Sequence, residues 1–179
     1  ENNEVSKLKD GDKCPRCGKK VSETKSIEVG NIFPLGTKYS EAFDLNFLDN
    51  EGNKKLVVMG SYGIGVSRLM ATVVEVYHDD AGVIWPESLA PFKVHLLELG
   101  EASAKDIYSD LQKRNIEVLY DDRETSPGAK LVESDLLGIP FRAVVSKKTG
   151  DKVEVKRRDE KETKLIGKEE FISLVSRHQ

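Results

Sequence analysis

Apolar and polar positions mix from Val21 to Ser40 around Gly30 and Gly36; Ser26–Phe33 predicts a strand, and Leu35–Tyr39 reads as a turn or short loop. Ala42–Leu48 predicts a second strand. Asp49-Asn50-Glu51-Gly52-Asn53 is a turn signal, with Asn and Gly available for positive φ. KLVVM, Lys55–Met59, should return antiparallel to the strand before it. A glycine-rich corner follows at Gly60, Gly63 and Gly65. Val66, Leu69, Met70, Val73, Val74 and Tyr77 then recur at helical spacing. His78–Gly82 ends that helix, and Gly82–Pro86 is extended, because Pro86 steers its predecessor away from helical angles.

The pattern changes at Ser88–Pro91, which divides the chain into domains 1–89 and 90–179. Beyond it strands and helices alternate: strand Phe92–Leu99, helix Ser103–Arg114, strand Ile116–Tyr120, helix Pro127–Leu137 with Gly138 as its stop, strand Phe141–Val145. Val153–Arg157 and Thr163–Ile166 predict two more strands, and Lys168–Ser176 a closing helix. Such an order builds a compact α/β domain around a mixed sheet.

Composition narrows the class. With 179 residues, 38% hydrophobic and 33% charged, the chain has the make-up of a globular protein. No apolar run approaches the ~20 residues of a membrane-spanning helix, and the polar N-terminus ENNEVSKLKDGDK has no signal-peptide core. A cytoplasmic location is the expectation. A net charge of −3 argues against a generally basic nucleic-acid binder but not against a shaped RNA site with a few placed cations. The only cysteines, Cys14 and Cys17, form CPRCG. Three readings stay open for them: a plain tight turn, half of a metal site completed elsewhere, or a redox pair. His78, His95 and His178 are distant in sequence, so no metal site is assigned.

A strand, a glycine corner and a helix make a device for nucleotides, since glycine lets a ligand approach the backbone and a helix N-terminus offers N–H groups. The spacing is neither the dinucleotide fingerprint nor a Walker loop, and close strand-helix packing explains the glycines equally well. Arg68 shifts the balance. A cation in the first helical turn opposes the dipole, so a ligand that wants it, an adenine face or a phosphate, is the more economical reading.

MGSYGIGVSRLMA is similar to motif 3 of class II aminoacyl-tRNA synthetases, in the form found in bacterial-type prolyl-tRNA synthetases. The resemblance puts an adenine contact on Arg68 and the approach of ATP on Gly63, Gly65 and Ser61. IEVGNIFPLGTKYSEAF also resembles this family, where the segment lines the active site; Glu28, Gly30, Asn31 and Ser61 then fall in the amino-acid pocket. Asn31 stands where the family usually has histidine, and Ser61 where it often has cysteine. DDAGVIWPESLAPFKVHLLEL and DDRETSPGAKLVESDLLGIPFRAVV resemble the entry into, and the body of, the family's anticodon-binding domain.

The implied architecture is α/β (α+β): the end of a class II antiparallel catalytic sheet, then a mixed-sheet anticodon-binding domain. The implied partners are tRNA(Pro), proline, ATP with Mg²⁺, and a second subunit. Asp122, Arg123, Lys130 and Glu133, at a strand end and the helix after it, are the expected anticodon contacts, since carboxylates accept from guanine N1 and N2 and cations donate to O6 and N7. Local ion pairing is the competing reading for each. The runs KKTGDK and KRRDEK read as solvated hairpins, with a lesser expectation that Lys147, Lys148, Arg157 or Arg158 meets phosphate. No catalytic nucleophile is expected. Motifs 1 and 2 are absent, so the expectation is a fragment that folds at least from Ala90 onward and does not aminoacylate. A stand-alone tRNA-binding module, a regulator that keeps only the nucleotide pocket, and the threonyl, histidyl or glycyl siblings are the alternatives.

Overall fold

A computed structural model describes residues 8–177; His178 and the first seven residues of the polar N-terminus lie outside the described residues. The chain divides into two compact units, Glu1–Leu69 and Met70–Gln179.

In the first unit, β1 (Gly30–Gly36) pairs antiparallel with β4 (Met59–Ile64), with an irregularity between Pro34 and Gly36. Proline has no N–H to give a ladder, so it sits where the register shifts. Between these strands come a short helix, α1 (Lys38–Ala42), and the hairpin of β2 (Asn46–Leu48) and β3 (Lys54–Leu56). Asp49 closes the hairpin by accepting from the Glu51 and Asn53 N–H groups at 2.9 and 2.8 Å, and Gly52 supplies a φ of +83°.

Three details differ from the sequence reading. The first strand starts at Gly30 and runs through Gly36. The stretch expected to open a strand at Ala42 closes α1 instead. Gly60 and Gly63 lie within β4, so only Gly65 occupies the corner between β4 and α2 (Val66–Val76). Among the described residues of this unit only Ser40 is buried, its hydroxyl donating to the Val57 and Thr37 carbonyls at 2.7 and 2.9 Å. Ile32 and Tyr62, paired across β1 and β4, are 81% and 84% exposed. Among its described residues this unit therefore shows no buried hydrophobic core.

The second unit contains the last part of α2 and a tiny hairpin, β5 (His78–Asp79) and β6 (Gly82–Val83). Then follow β7 (Val94–Leu99), α3 (Lys105–Lys113), β8 (Val118–Asp121), α4 (Pro127–Leu137), β9 (Phe141–Ser146), β10 (Lys152–Arg157), β11 (Thr163–Gly167) and α5 (Lys168–Ser176). The sheet order is β11-β10-β9-β7-β8, with β7 parallel to both β8 and β9 and the other pairs antiparallel. Alternation along each strand sorts the two faces. Val94, Leu96, Phe141, Ala143, Val153 and Val155 pack with Ile107 and Leu111 of α3 and Phe171, Ile172 and Val175 of α5. His95 and Leu97, one residue out of step with that set, are buried as well.

Helix α4 begins and ends where its sequence says it should. Ser126 caps it by accepting from the Ala129 N–H at 3.2 Å, Pro127 fills the first turn, and Gly138 closes it at φ +71°. The β5–β6 hairpin packs on that closing end, which the sequence reading missed. A Cβ on Gly138 would stand 1.9 Å from the Val83 carbonyl oxygen, and one on Gly82 would stand 2.4 Å from Leu136 Cα. The Trp85 indole N–H donates to the Leu137 carbonyl at 3.0 Å. Arg158, also buried, donates through Nε to the Asp135 carbonyl at 2.9 Å and through its two terminal nitrogens to the Asp79 carboxylate.

Candidate functional site

Two groups of polar residues stand out, one in each unit. In the first, the register of β1 and β4 sets Asn31 opposite Gly63 and Phe33 opposite Ser61, so Asn31, Ser61 and Gly63 share one face of the two-stranded sheet. Nothing lies within 4 Å of where a Gly63 Cβ would be, which leaves open space beside Asn31. Gly30 is glycine for packing: a Cβ there would be 2.9 Å from the Gly63 carbonyl oxygen. Gly65 turns the chain into α2 while its N–H donates to the Val29 carbonyl at 3.0 Å.

The start of α2 brings Arg68 back to the residues before β1. Its Nη1 donates to the Glu28 carbonyl at 3.0 Å and lies 3.6 Å from the Glu28 carboxylate. The same carboxylate accepts from the Asn31 amide at 2.7 Å. Glu28, Asn31 and Arg68 thus form one exposed, hydrogen-bonded cluster beside the open strip above Gly63. It can present a guanidinium, an amide and a carboxylate to a polar ligand, with backbone accessible between them.

The second group gathers where β7 and β8 end. Asp121, the last residue of β8, is buried, and its carboxylate accepts from Arg123 Nε and Nη2 at 2.9 and 2.8 Å. Those bonds hold its carboxyl well below the usual range, at about 2, against the opposing effect of desolvation. Arg123 also bonds the Glu133 carboxylate from α4, and its own pKa is raised by these two partners. Asp122 and Arg123 are exposed, and Glu133 is half-buried.

Lys130 does not stand at the surface with them. It is 2% exposed, and its ammonium donates to the Glu98 carbonyl at 2.7 Å and the Asp121 carbonyl at 3.0 Å, 3.5 Å from the Asp121 carboxylate. Lys130 and Ser134 are one helical turn apart and both buried, so Lys130 ties the ends of β7 and β8 together from beneath. A lysine in sequence reads as a surface residue because lysine is almost never fully buried without a partner; here two carbonyls and a carboxylate supply that partner.

Residues that the sequence reading passed over complete this edge. The Glu98 carboxylate accepts from the Ala104 N–H at 2.9 Å and from the Tyr120 hydroxyl. Tyr120 stacks on Tyr108 with ring centroids 5.0 Å apart, and burial raises its phenol's pKa. His95 lies buried on β7 near the charges of Asp121, Arg123, Arg142 and Glu133, and burial holds it below the ordinary imidazole value. Hydrophobic alternation marks His95 as one of a buried pair with Leu97, a signal that was available in VHLLEL.

The basic runs divide. Arg157 pairs with Glu87 at 2.8 Å and Asp159 at 3.0 Å and covers the Phe141 ring, and Arg158 is the buried brace to Asp79. Lys147, paired with Glu101, and Lys148 are exposed. Among the described residues no group of three or more His, Cys, Asp or Glu side chains is placed to hold a metal ion, so Cys14 and Cys17 gain no third ligand from them. No helix among the described residues is long and apolar enough to cross a membrane.

Residues 19–77 match the family model of the tRNA synthetase class II core domain (G, H, P, S and T), and residues 91–178 match the anticodon binding domain. The chain is 50% identical over 179 residues to the proline–tRNA ligase of Persephonella marina, covering 96% of this chain and 31% of that protein. It is 43% identical over 162 residues to that of Aquifex aeolicus, covering 87% and 28%. Against that of Thermodesulfovibrio yellowstonii it is 42% identical over 178 residues, covering 91% and 31%. The chain spans less than a third of the length of these curated relatives. With a core segment and an anticodon-binding domain in that order, and similarity to proline–tRNA ligases along most of its length, the chain belongs to the class II aminoacyl-tRNA synthetases, in the proline–tRNA ligase branch.

Proposed function

We propose that the chain is the part of a proline–tRNA ligase that closes one side of the ATP and proline pocket and reads the anticodon of tRNA(Pro), with the first unit serving the first task and the second unit, whose sheet begins beyond residue 90, the second. The observation that carries the second task is the exposed Asp122–Arg123 pair beside Glu133, held at the carboxyl edge of a mixed α/β sheet. That edge is where α/β sheets gather ligand residues. It offers acceptors for guanine N1 and N2 and a fork of donors for O6 and N7. In this reading Lys130 acts from below, as the prop that sets the loop carrying Asp122 and Arg123.

In the pocket, Arg68 lies against the adenine of ATP, and Gly63, Gly65 and Ser61 leave room for the nucleotide. Glu28, Gly30, Asn31 and Ser61 border the proline. A proline carboxylate oxygen attacks the α-phosphorus, pyrophosphate leaves, and the terminal ribose hydroxyl of the tRNA then takes the prolyl group from the adenylate with release of AMP. Both steps are served by positioning and charge stabilisation, and no protein nucleophile takes part. Mg²⁺ assists the first step in the complete enzyme; the described residues contain no ligand set for it, so none of its work is assigned to this chain. The complete enzyme is a cytoplasmic homodimer in this reading. Because unit Glu1–Leu69 buries no hydrophobic side chain among its described residues, it supplies one wall of a pocket, and the chain alone binds ATP weakly and does not aminoacylate.

Filter binding of the chain to transcripts with proline, threonine and histidine anticodons tests the tRNA assignment. Preference for the proline transcript, lost in Arg123→Ala, is expected; equal affinity for all three refutes it. ATP–pyrophosphate exchange by this chain alone would refute the one-wall reading.

A further inference from the structure

The CPRCG turn is absorbed by neither site. The Gly18 N–H donates to the Cys14 carbonyl at 2.8 Å, and the Cys14 N–H donates to the Lys19 carbonyl at 2.8 Å, beneath a bridge between Lys13 and Lys20. Gly18 takes a φ of +70°, which lets the turn close. Both cysteines therefore sit in one hydrogen-bonded turn, most of whose residues are exposed, and a disulfide between them needs Cβ atoms about 3.8 Å apart. The two thiols differ in access: Cys17 is exposed and Cys14 is half-buried, and neither is in a disulfide.

The surroundings favour thiol chemistry over metal binding. No third ligand stands by among the described residues. Residues 13–20, KCPRCGKK, hold four cations and no acid. Asp10 and Asp12, just outside, are engaged in accepting the Glu23 and Lys9 N–H groups. The neighbouring cations attract anionic reagents. Beside the turn lies a cavity of about 510 Å³ whose lining includes Cys14, Pro15, Arg16 and Lys20 but not Cys17, a volume suited to a small molecule.

We propose that Cys14 and Cys17 form a redox-active dithiol whose oxidant is a small anionic disulfide of the glutathione type. The Cys17 thiolate attacks one sulfur of the disulfide, forming a mixed disulfide and releasing one thiol. The Cys14 thiolate then attacks the Cys17 sulfur, closing the Cys14–Cys17 bond and releasing the second thiol. The protein loses two hydrogen atoms, the small disulfide gains them, and no other reactant is needed.

The test treats the chain with oxidised glutathione, quenches by alkylation and reads intact mass and peptides. The wild-type chain is expected to lose both alkylatable thiols and two hydrogen atoms, and to regain them with excess reduced glutathione. Cys14→Ser should stop at a glutathione adduct on Cys17. Cys17→Ser should react about tenfold more slowly, as the less accessible thiol does. Stable adducts on both cysteines of the wild type, disulfides only between chains, or stoichiometric zinc that blocks the reaction would each overturn the proposal. The variants change an exposed turn outside the unit that holds the core, and circular dichroism of each checks that the fold is kept.

Discussion

Lys130→Met separates a prop from a contact. Methionine keeps most of the side-chain volume and removes the ammonium, leaving the Glu98 and Asp121 carbonyls without that donor at a buried point. A buried acceptor stripped of its partner costs about 1–3 kcal/mol, and breaking a buried charge pair costs about 3–5 kcal/mol. Asp121 keeps both bonds from Arg123, which places the expected loss at the lower end, about 3 kcal/mol. With a urea slope of about 1.5 kcal/mol/M for a domain of this size, the unfolding midpoint should fall by about 2 M. Urea titration followed by circular dichroism, on the wild-type chain and the variant, measures it. A loss below about 1 kcal/mol, together with weaker tRNA binding, would refute the prop and return Lys130 to the surface as a direct contact.

Three other outcomes are expected. Asp121 titrates at about 2, below its unfolded value, because Arg123 favours the carboxylate; its stabilisation is complete above about pH 4 and lost as pH falls through about 2. Stability measured across that window should be flatter in Asp121→Asn, and an unchanged slope would remove the carboxylate from the account. Gly138→Ala should cost about 3 kcal/mol or more, since it adds a Cβ at φ +71° 1.9 Å from the Val83 carbonyl oxygen. Gly128→Ala meets nothing within 4 Å and should change stability by less than about 1 kcal/mol; equal effects in thermal melts would contradict the packing of the hairpin on α4. Arg68→Ala should abolish what ATP binding the chain has in calorimetry, and retained affinity would place the adenine elsewhere.

Much of the second unit was legible because its signals are local. Pro127 and Gly138 bracket α4 at its observed ends, and the apolar periodicity of β7, β9 and β10 marks strands that are buried. The first unit was harder to read because its periodicity does not report burial there: Ile32, Tyr62 and Ile64 look like core residues and are exposed. The glycines of GSYGIGV suggested a corner, yet two of them extend β4, since glycine in a strand and glycine in a turn look alike without the register. At the edge where β7 and β8 end, the charged residues of DDR and the lysine after it were visible in the sequence, but not which of them are buried. Which aspartate faces inward depends on where β8 ends, and Lys130 is buried because two Asp121 oxygens and the Glu98 carbonyl, 32 residues away, converge on it. The hairpin at His78–Val83 was illegible for the same reason: its partner, Arg158, is 79 residues from Asp79.

That hairpin decides where the molecule can be cut. A piece begun at Ala90, where the hydrophobic pattern changes, would expose the backbone of Leu136 and Gly138 and strip the Arg158 guanidinium of its carboxylate partner. A piece begun ahead of His78 keeps the hairpin as an N-terminal plug, and the boundary suited to expression then lies a dozen residues upstream of the one the sequence advertises.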